Sequence, residues 1–262
     1  MATNLIYYGG FDGAIDADYW TGGTICRSLG YPRLGCVELV AGQSVRQGVE
    51  LSGDQLYTLH YFYQLAVGAT LNVTVGAIAQ EHTGAPLSVW REGVLGLSVG
   101  ASIQANVQFT AIDGDCYVDT VSLILGAVPV YRSGLALVVA ARLSTLATDA
   151  ELSTMPSIDG PEGSYSAAID EALRQVGAVN EWGDPDVCQL EPGQVNVVLE
   201  AIQTAMLQQL RSKYALETDV SLGPRRESRS QIAASIDAML SGAGSNRRVA
   251  TGRLFRRGGW ER

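Results

Sequence analysis

Residues Gln194 to Tyr214 read QVNVVLEAIQTAMLQQLRSKY, and the placing of apolar side chains along them decides what the rest of the chain has to provide. Val195, Val198, Leu199, Ile202, Ala205, Met206 and Leu210 recur at steps of three and four. They therefore share one face of an amphipathic helix, while Asn196, Glu200, Gln203, Gln208 and Arg211 face away. Glu191-Pro192-Gly193 sets a proline just ahead, where a first turn leaves an amide unpaired in any case. A helix of roughly twenty residues is about 30 Å long, and its apolar stripe needs other helices against it. Candidates occur only on the C-terminal side, because residues up to about Leu125 read as strands. The chain divides into a β module and a helical module.

In the N-terminal half the period is two. Ile103, Ala105, Val107 and Phe109 alternate with Ser102, Gln104, Asn106, Gln108 and Thr110, and Leu71, Val73, Val75 and Ala77 alternate with Asn72, Thr74 and Gly76, as strands with one buried face do. Between Gln55 and Gln64, Tyr57, Leu59, Tyr61 and Tyr63 line one side and Leu56, Thr58, His60 and Phe62 the other. Either both faces of that strand are covered or one is an aromatic platform. Short strands separated by Gly, Asn, Asp and Ser turns predict an antiparallel sandwich or jelly roll.

After Pro129 the period becomes 3.6. Ser133 is positioned to cap a helix bearing Leu135, Val138, Val139, Arg142, Leu143 and Leu146, and Thr148 to Gly163 reads as a loop. A second helix spans Ser164 to Val176, with Tyr165, Ala168, Ile169, Ala172, Leu173 and Val176 on one face. A last one follows the capping-box spacing Ser228-Arg229-Ser230-Gln231, carries Ile232, Ile236, Met239 and Leu240, and stops at Gly242 and Gly244. The expected fold class is α+β in two modules: an antiparallel β-sandwich or jelly roll, then a C-terminal α-helical bundle with an extended C-terminal arm. The expected divisions are a jelly-roll domain at 1–127, a connecting helix and loop at 128–163, a helical domain at 164–244 and a basic arm at 245–262.

With 47% hydrophobic and 17% charged residues in 262, the composition suits a packed globular chain and not a disordered one. No basic start, apolar run and small-residue cleavage site opens the sequence, so export by a cleaved signal is not expected. The longest apolar run, Leu135 to Ala141, is too short to span a bilayer. Cys26, Cys36, Cys116 and Cys188 show no C-x-x-C spacing, only His60 and His82 could join them as zinc ligands, and they read as buried free thiols. The net charge of -9 is unevenly placed. From Gly223 onward Arg225, Arg226, Arg229, Arg247, Arg248, Arg253, Arg256, Arg257 and Arg262 face only Glu227, Asp237 and Glu261. Arginine interleaved with Leu254, Phe255 and Trp260 has the composition of a docking segment on an acidic body.

Gly9-Gly10-Phe11-Asp12-Gly13, Trp20, the strand around Val37-Glu38-Leu39 and the closing Cys116-Tyr117-Val118-Asp119-Thr120-Val121-Ser122-Leu123 resemble the galactose-binding-like jelly rolls of carbohydrate-binding modules. The resemblance implies a structural calcium held by Asp12 and Asp119, with no other cofactor. It also implies sugar contacts from exposed aromatic rings, for which Trp20, Tyr61, Tyr63 and Trp90 are the candidates.

The helix order resembles a second family. A helix starting Ser164-Tyr165-Ser166-Ala167-Ala168-Ile169, a polar loop, a long helix and Thr218-Asp219-Val220-Ser221-Leu222-Gly223-Pro224 before a short helix are similar to the helical head-tail connector proteins of tailed bacteriophages. That resemblance implies a structural virion protein of the neck, assembled in the host cytoplasm: a homo-oligomeric ring under the portal that contacts tail or neck proteins and passes DNA without binding it specifically. Its portal-docking arm would carry Arg247, Arg248, Arg253, Leu254, Phe255, Arg256, Arg257 and Trp260. The jelly roll, which small adaptors lack, would decorate the ring and touch host surface glycans; no membrane is involved. The alternative expectation is a glycan-binding module of a tail fibre or cell-surface protein.

Catalysis is not expected. Gly96-Leu97-Ser98-Val99-Gly100 matches a nucleophile elbow by letter, but the residues after it alternate as a strand and both histidines precede Ser98. No carboxylate pair suited to glycoside hydrolysis is recognisable, and the sequon Asn72-Val73-Thr74 is idle in a chain that is not exported.

Overall fold

A computed structural model describes residues 4–11, 19–31, 35–84, 89–128, 130–156, 160–180, 183–218, 234 and 236–241. Ten strands form two antiparallel five-stranded sheets. One has the order β1 (Thr21–Gly22), β4 (Ser44–Leu51), β9 (Ile103–Asp113), β6 (Thr70–Val75), β7 (Ile78–Thr83). The other has the order β2 (Thr24–Cys26), β3 (Cys36–Leu39), β10 (Cys116–Leu125), β5 (Gln55–Leu65), β8 (Arg91–Val99). Consecutive strands in the chain often lie in different sheets, as they do in a jelly roll.

Alternation places the sandwich core. Val45, Val49 and Leu51 of β4, Leu71, Val73 and Val75 of β6, and Ala105, Val107 and Phe109 of β9 point inward against Tyr57, Leu59, Tyr61 and Tyr63 of β5 and Val118, Val121 and Leu123 of β10. Ile103 is exposed at the start of β9, and Ala77 sits in the β6–β7 turn instead of extending β6. The N-terminal segment runs beside β10, where Val121 N–H donates to the Gly9 carbonyl. A Cβ on Gly9 would stand 1.9 Å from the Val121 carbonyl oxygen, so only glycine fits there.

Helices follow, among the described residues α1 (Arg132–Leu143), α2 (Thr145–Asp149), α3 (Ser166–Gln175) and α4 (Val195–Thr218). Leu135 and Val139 of α1, Ile169 and Leu173 of α3, and Val198, Ile202, Met206 and Leu210 of α4 share one core with Ile124 from the end of β10. The expected stripe on α4 is the buried one. A 3-10 turn, Pro192–Gln194, leads into it, with Glu191 and Gln194 closing a reciprocal capping box. α2 occupies the start of the expected loop. Ile236 in the helical stretch 236–241 is buried in the same core, and Asp237 pairs with Arg211 of α4 at 2.9 Å. The capping box expected at 228–231 and the stop glycines lie outside the described residues.

The cap expected at Ser133 is replaced by one from another layer. α1 has no side-chain cap of its own. Glu92 of β8 accepts from the backbone N–H of Arg132 and of Ser133, both at 3.0 Å, so a strand carboxylate satisfies the first turn and faces the positive end of the helix dipole.

Candidate functional site

The two outward faces of the sandwich differ. Outside the β1-β4-β9-β6-β7 sheet, register aligns Arg46, Gln108 and Thr74 in one row and Ser44, Thr110, Asn72 and Glu81 in the next, with Asn106 and Glu50–Gln104 beyond. These side chains are amide, hydroxyl or charged, and exposed or half-buried, while Ile112 of β9 and Ala79 of β7 add exposed apolar groups.

A cluster of tyrosines precedes edge strand β1 in the chain. Tyr7 is 62% exposed and Tyr19 is 44% exposed, yet their rings stack at 5.7 Å with planes 28° apart, and Tyr8 packs against Tyr19 from 4.6 Å. The buried Gln47 amide pins the backbone beneath them: Tyr7 N–H donates to Gln47 Oε1 at 2.9 Å, and Gln47 Nε2 donates back to the Tyr7 carbonyl at 3.0 Å. The Trp20 indole N–H reaches the same carbonyl at 3.2 Å. Tyr8 has φ +52, in the left-handed region that bulky residues rarely adopt, so tyrosines 7 and 8 do not alternate as in a strand. Chemically, this is a pair of solvent-facing rings, one of them, Tyr7, on a backbone tied down by buried side chains.

The outward face of the other sheet is covered where β5 carries His60 and Phe62. Arg132, 1% exposed, crosses this seam. Its Nε donates to Glu162 Oε1 at 2.7 Å, and the same guanidinium donates to Asp170 Oδ1 at 2.5 Å and to the Tyr31 hydroxyl at 2.8 Å. The guanidinium also lies 5.6 Å from the Tyr31 ring centre and 5.8 Å from that of Phe62. Burial alone would lower the Arg132 pKa, but the charges of Glu162 and its neighbours hold it well above its ordinary value. Nearby, His60 Nε2 sits 2.8 Å from Glu92 Oε1. Burial would raise the Glu92 pKa, but the His60 hydrogen bond and the two helix amides outweigh it and bring the carboxyl to about 2. An ionised carboxylate only accepts, so His60 carries its proton on Nε2. Burial, then the Asp186 carboxylate, pushes the Cys188 thiol well above its usual range.

The rings expected to stack on sugars do not reach the surface. Trp20, Tyr61, Tyr63 and Trp90 are all buried. Trp20 packs on Phe11 and Phe109, and Trp90 lies with Tyr31, Cys36 and Phe62 under the helical side. Tyr61, its phenol pushed up by burial, shares a hydrogen bond with His82 Nε2 at 2.7 Å, and Tyr63 stacks on the same imidazole at 4.2 Å. A ring enclosed on both faces offers none to a pyranose, so these four are core residues. Tyr7 and Tyr19 were missed as candidates; the tyrosine doublet before Gly9-Gly10 is the signal that could have found them.

Asp12 and the arm residues Arg247, Arg248, Arg253, Leu254, Phe255, Arg256, Arg257 and Trp260 lie outside the described residues. Asp119 is buried, and its carboxylate accepts from the backbone N–H of Tyr31 and of Thr120, both at 2.6 Å, which ties a loop to the β10 bulge. Ser98 lies within β8 opposite Leu56, so no strand-to-helix elbow forms at the nucleophile-like motif. All four cysteines are free thiols.

No family model and no curated protein matches the chain. Solved structures resemble it over the sandwich. The TmCBM61 structure in complex with β-1,4-galactotriose shares 14% identity over 47% of this chain and 99% of that one, with a TM-score of 0.38. The CBM22-1 xylan-binding domain of Xyn10C from Paenibacillus barcinonensis shares 12% over 47% and 95%, with a TM-score of 0.37. The enzymatically active domain of tailspike protein 4 from bacteriophage CBA120 shares 12% over 47% and 21%, with a TM-score of 0.36. At these identities and scores none of them assigns an activity to this chain.

Proposed function

We propose that the chain is a non-catalytic glycan-binding protein, whose sandwich presents Tyr7 and Tyr19 to the apolar face of a sugar ring. One observation carries the reading: two large aromatic rings stay open to solvent and stacked on each other, although hydrogen bonds from buried Gln47 and Trp20 fix the Tyr7 backbone. A rigid exposed ring gives stacking area at little entropic cost, and the amides and hydroxyls on the outside of the β1-β4-β9-β6-β7 sheet are groups of the kind that sugar hydroxyls pair with. Among the described residues, the helical side packs on the opposite sheet.

This puts the second sequence expectation ahead of the portal adaptor. The adaptor reading rested on helix order and on an arm outside the described residues, and no structural observation favours it. The test is a glycan array followed by titration calorimetry with each positive oligosaccharide. Tyr7→Ala and Tyr19→Ala should each weaken binding at least about tenfold, in line with the loss of roughly 1–1.5 kcal/mol of ring contact, and Arg46→Ala should weaken it less. An array with no positive oligosaccharide, or binding indifferent to both tyrosine changes, overturns the proposal.

A further inference from the structure

His60, Asp186 and Cys188 are 1%, 2% and 3% exposed and come together where the helical side covers β5, although 126 positions and more separate the histidine from the other two in sequence. Their ligand atoms all lie within 4.8 Å of one another. Two of these atoms, His60 Nδ1 and Asp186 Oδ2, are buried with no hydrogen bond of acceptable geometry. An unsatisfied buried polar atom costs about 1–3 kcal/mol, and here two of them share one spot with a thiol.

The surroundings fix how the three groups point. Glu92 accepts a hydrogen bond from His60 Nε2–H, which leaves the Nδ1 lone pair for another partner beside Asp186 and Cys188. A carboxylate on the far nitrogen is the usual way a metal-ligating imidazole is oriented and made more basic. Asp186 Oδ1 accepts from the Cys188 backbone N–H at 2.9 Å, so the 3-10 turn Val187–Gln189 holds carboxylate and thiol together, and Oδ2 is the oxygen left without a hydrogen bond of acceptable geometry.

We propose that His60 Nδ1, Asp186 Oδ2 and Cys188 Sγ form a structural site for one divalent zinc ion, which joins the helical side to the sandwich. Zinc takes nitrogen, oxygen and thiolate ligands at about 2.0–2.3 Å in a tetrahedron, so a small inward rotation of the three side chains closes the site, and a water molecule fills the fourth position. On binding, the Cys188 thiol gives its proton to solvent. Thiolate, carboxylate and neutral imidazole then balance the cation, and the buried group carries no net charge. The thiolate selects against magnesium and calcium. Burial of all three ligands makes this a staple and not a reaction centre.

The test is a cobalt titration of the full chain after chelator treatment. The expected result is a thiolate-to-cobalt charge-transfer band in the near ultraviolet that saturates at one equivalent, disappears when zinc is added, survives Cys26→Ser and is lost in Cys188→Ser. Glu92→Gln should weaken cobalt binding about 10- to 100-fold, the loss expected when the partner of a ligating histidine is removed. Zinc should raise the Tm of the wild-type chain, as any ligand that binds only the folded state does. If Cys188→Ser does not fold, the wild-type spectrum decides: absence of the band overturns the proposal, as does a band that persists without Cys188.

Discussion

The two outward faces of the sandwich began from the same backbone geometry and ended in opposite environments. β4 alternates strictly, with Arg46, Gly48 and Glu50 in solvent between buried Val45, Gln47, Val49 and Leu51. β5 is buried continuously from Tyr57 to Tyr63, with one side filling the sandwich and the other, Thr58, His60 and Phe62, lying under the helical side. The contrast teaches that a strand's second face is polar only where nothing else in the chain needs it. Where a second layer arrives, the face also takes charged groups, provided each finds its counterpart there.

The sharpest way to break the comparison is to remove the cation at the covered seam. Arg132→Ala strands Glu162 and Asp170 in a dry environment and should lower stability by about 3–5 kcal/mol, while Arg132→Met, which fills the space, should cost less than alanine because part of the desolvation penalty disappears too. Urea denaturation of both variants checks this; equal losses would show that packing, not charge, holds the seam.

A second, smaller effect comes from His82 on edge strand β7. Burial first, and then the positive charge of Arg91, lowers its pKa from 6.5 to about 4. The imidazole is neutral in the folded protein while the unfolded chain takes up its proton sooner. Stability is therefore full above about pH 6.5 and declines as the pH falls toward 4. His82→Gln, which can still accept from Tyr61, should flatten the decline across that window in thermal melts; an unchanged slope would show that other groups set it.

The smallest effect belongs to the open face. Gln108→Ala removes a half-buried amide that donates to Thr110 Oγ1 at 3.0 Å on the same strand, and should change stability by no more than about 0.5 kcal/mol. A loss several times larger in calorimetry would mean that this face is structurally engaged and not kept free.

Most of the architecture could be read from periodicity, because alternation at 103–109 and the stripe at 195–210 record which neighbours each residue buries against. Four judgements failed or stayed open for one reason: they depended on partners far away in sequence. Both sides of 56–63 are apolar or aromatic, and no local rule says which layer covers each. Trp20 and Trp90 were candidates for sugar contacts only through the resemblance, and Phe109 and Phe62 lie against them in the interior. Ser133 carries the right chemistry for a cap, but Glu92 arrives from 41 residues upstream with two acceptor oxygens. The tyrosine pair was missed because the exposure of Tyr7 depends on Gln47, 40 residues on.

The strand-borne cap on α1 also bears on the order of events as the chain emerges from the ribosome. Glu92 reaches its place only after β8 has docked on β5, and until then the first turn of α1 has its amides unanswered and Arg132 has no settled berth. Synthesis delivers the sandwich first, so the nascent β layers act as a template on which the first helix starts, and a separately expressed helical half would lack the carboxylate that begins it.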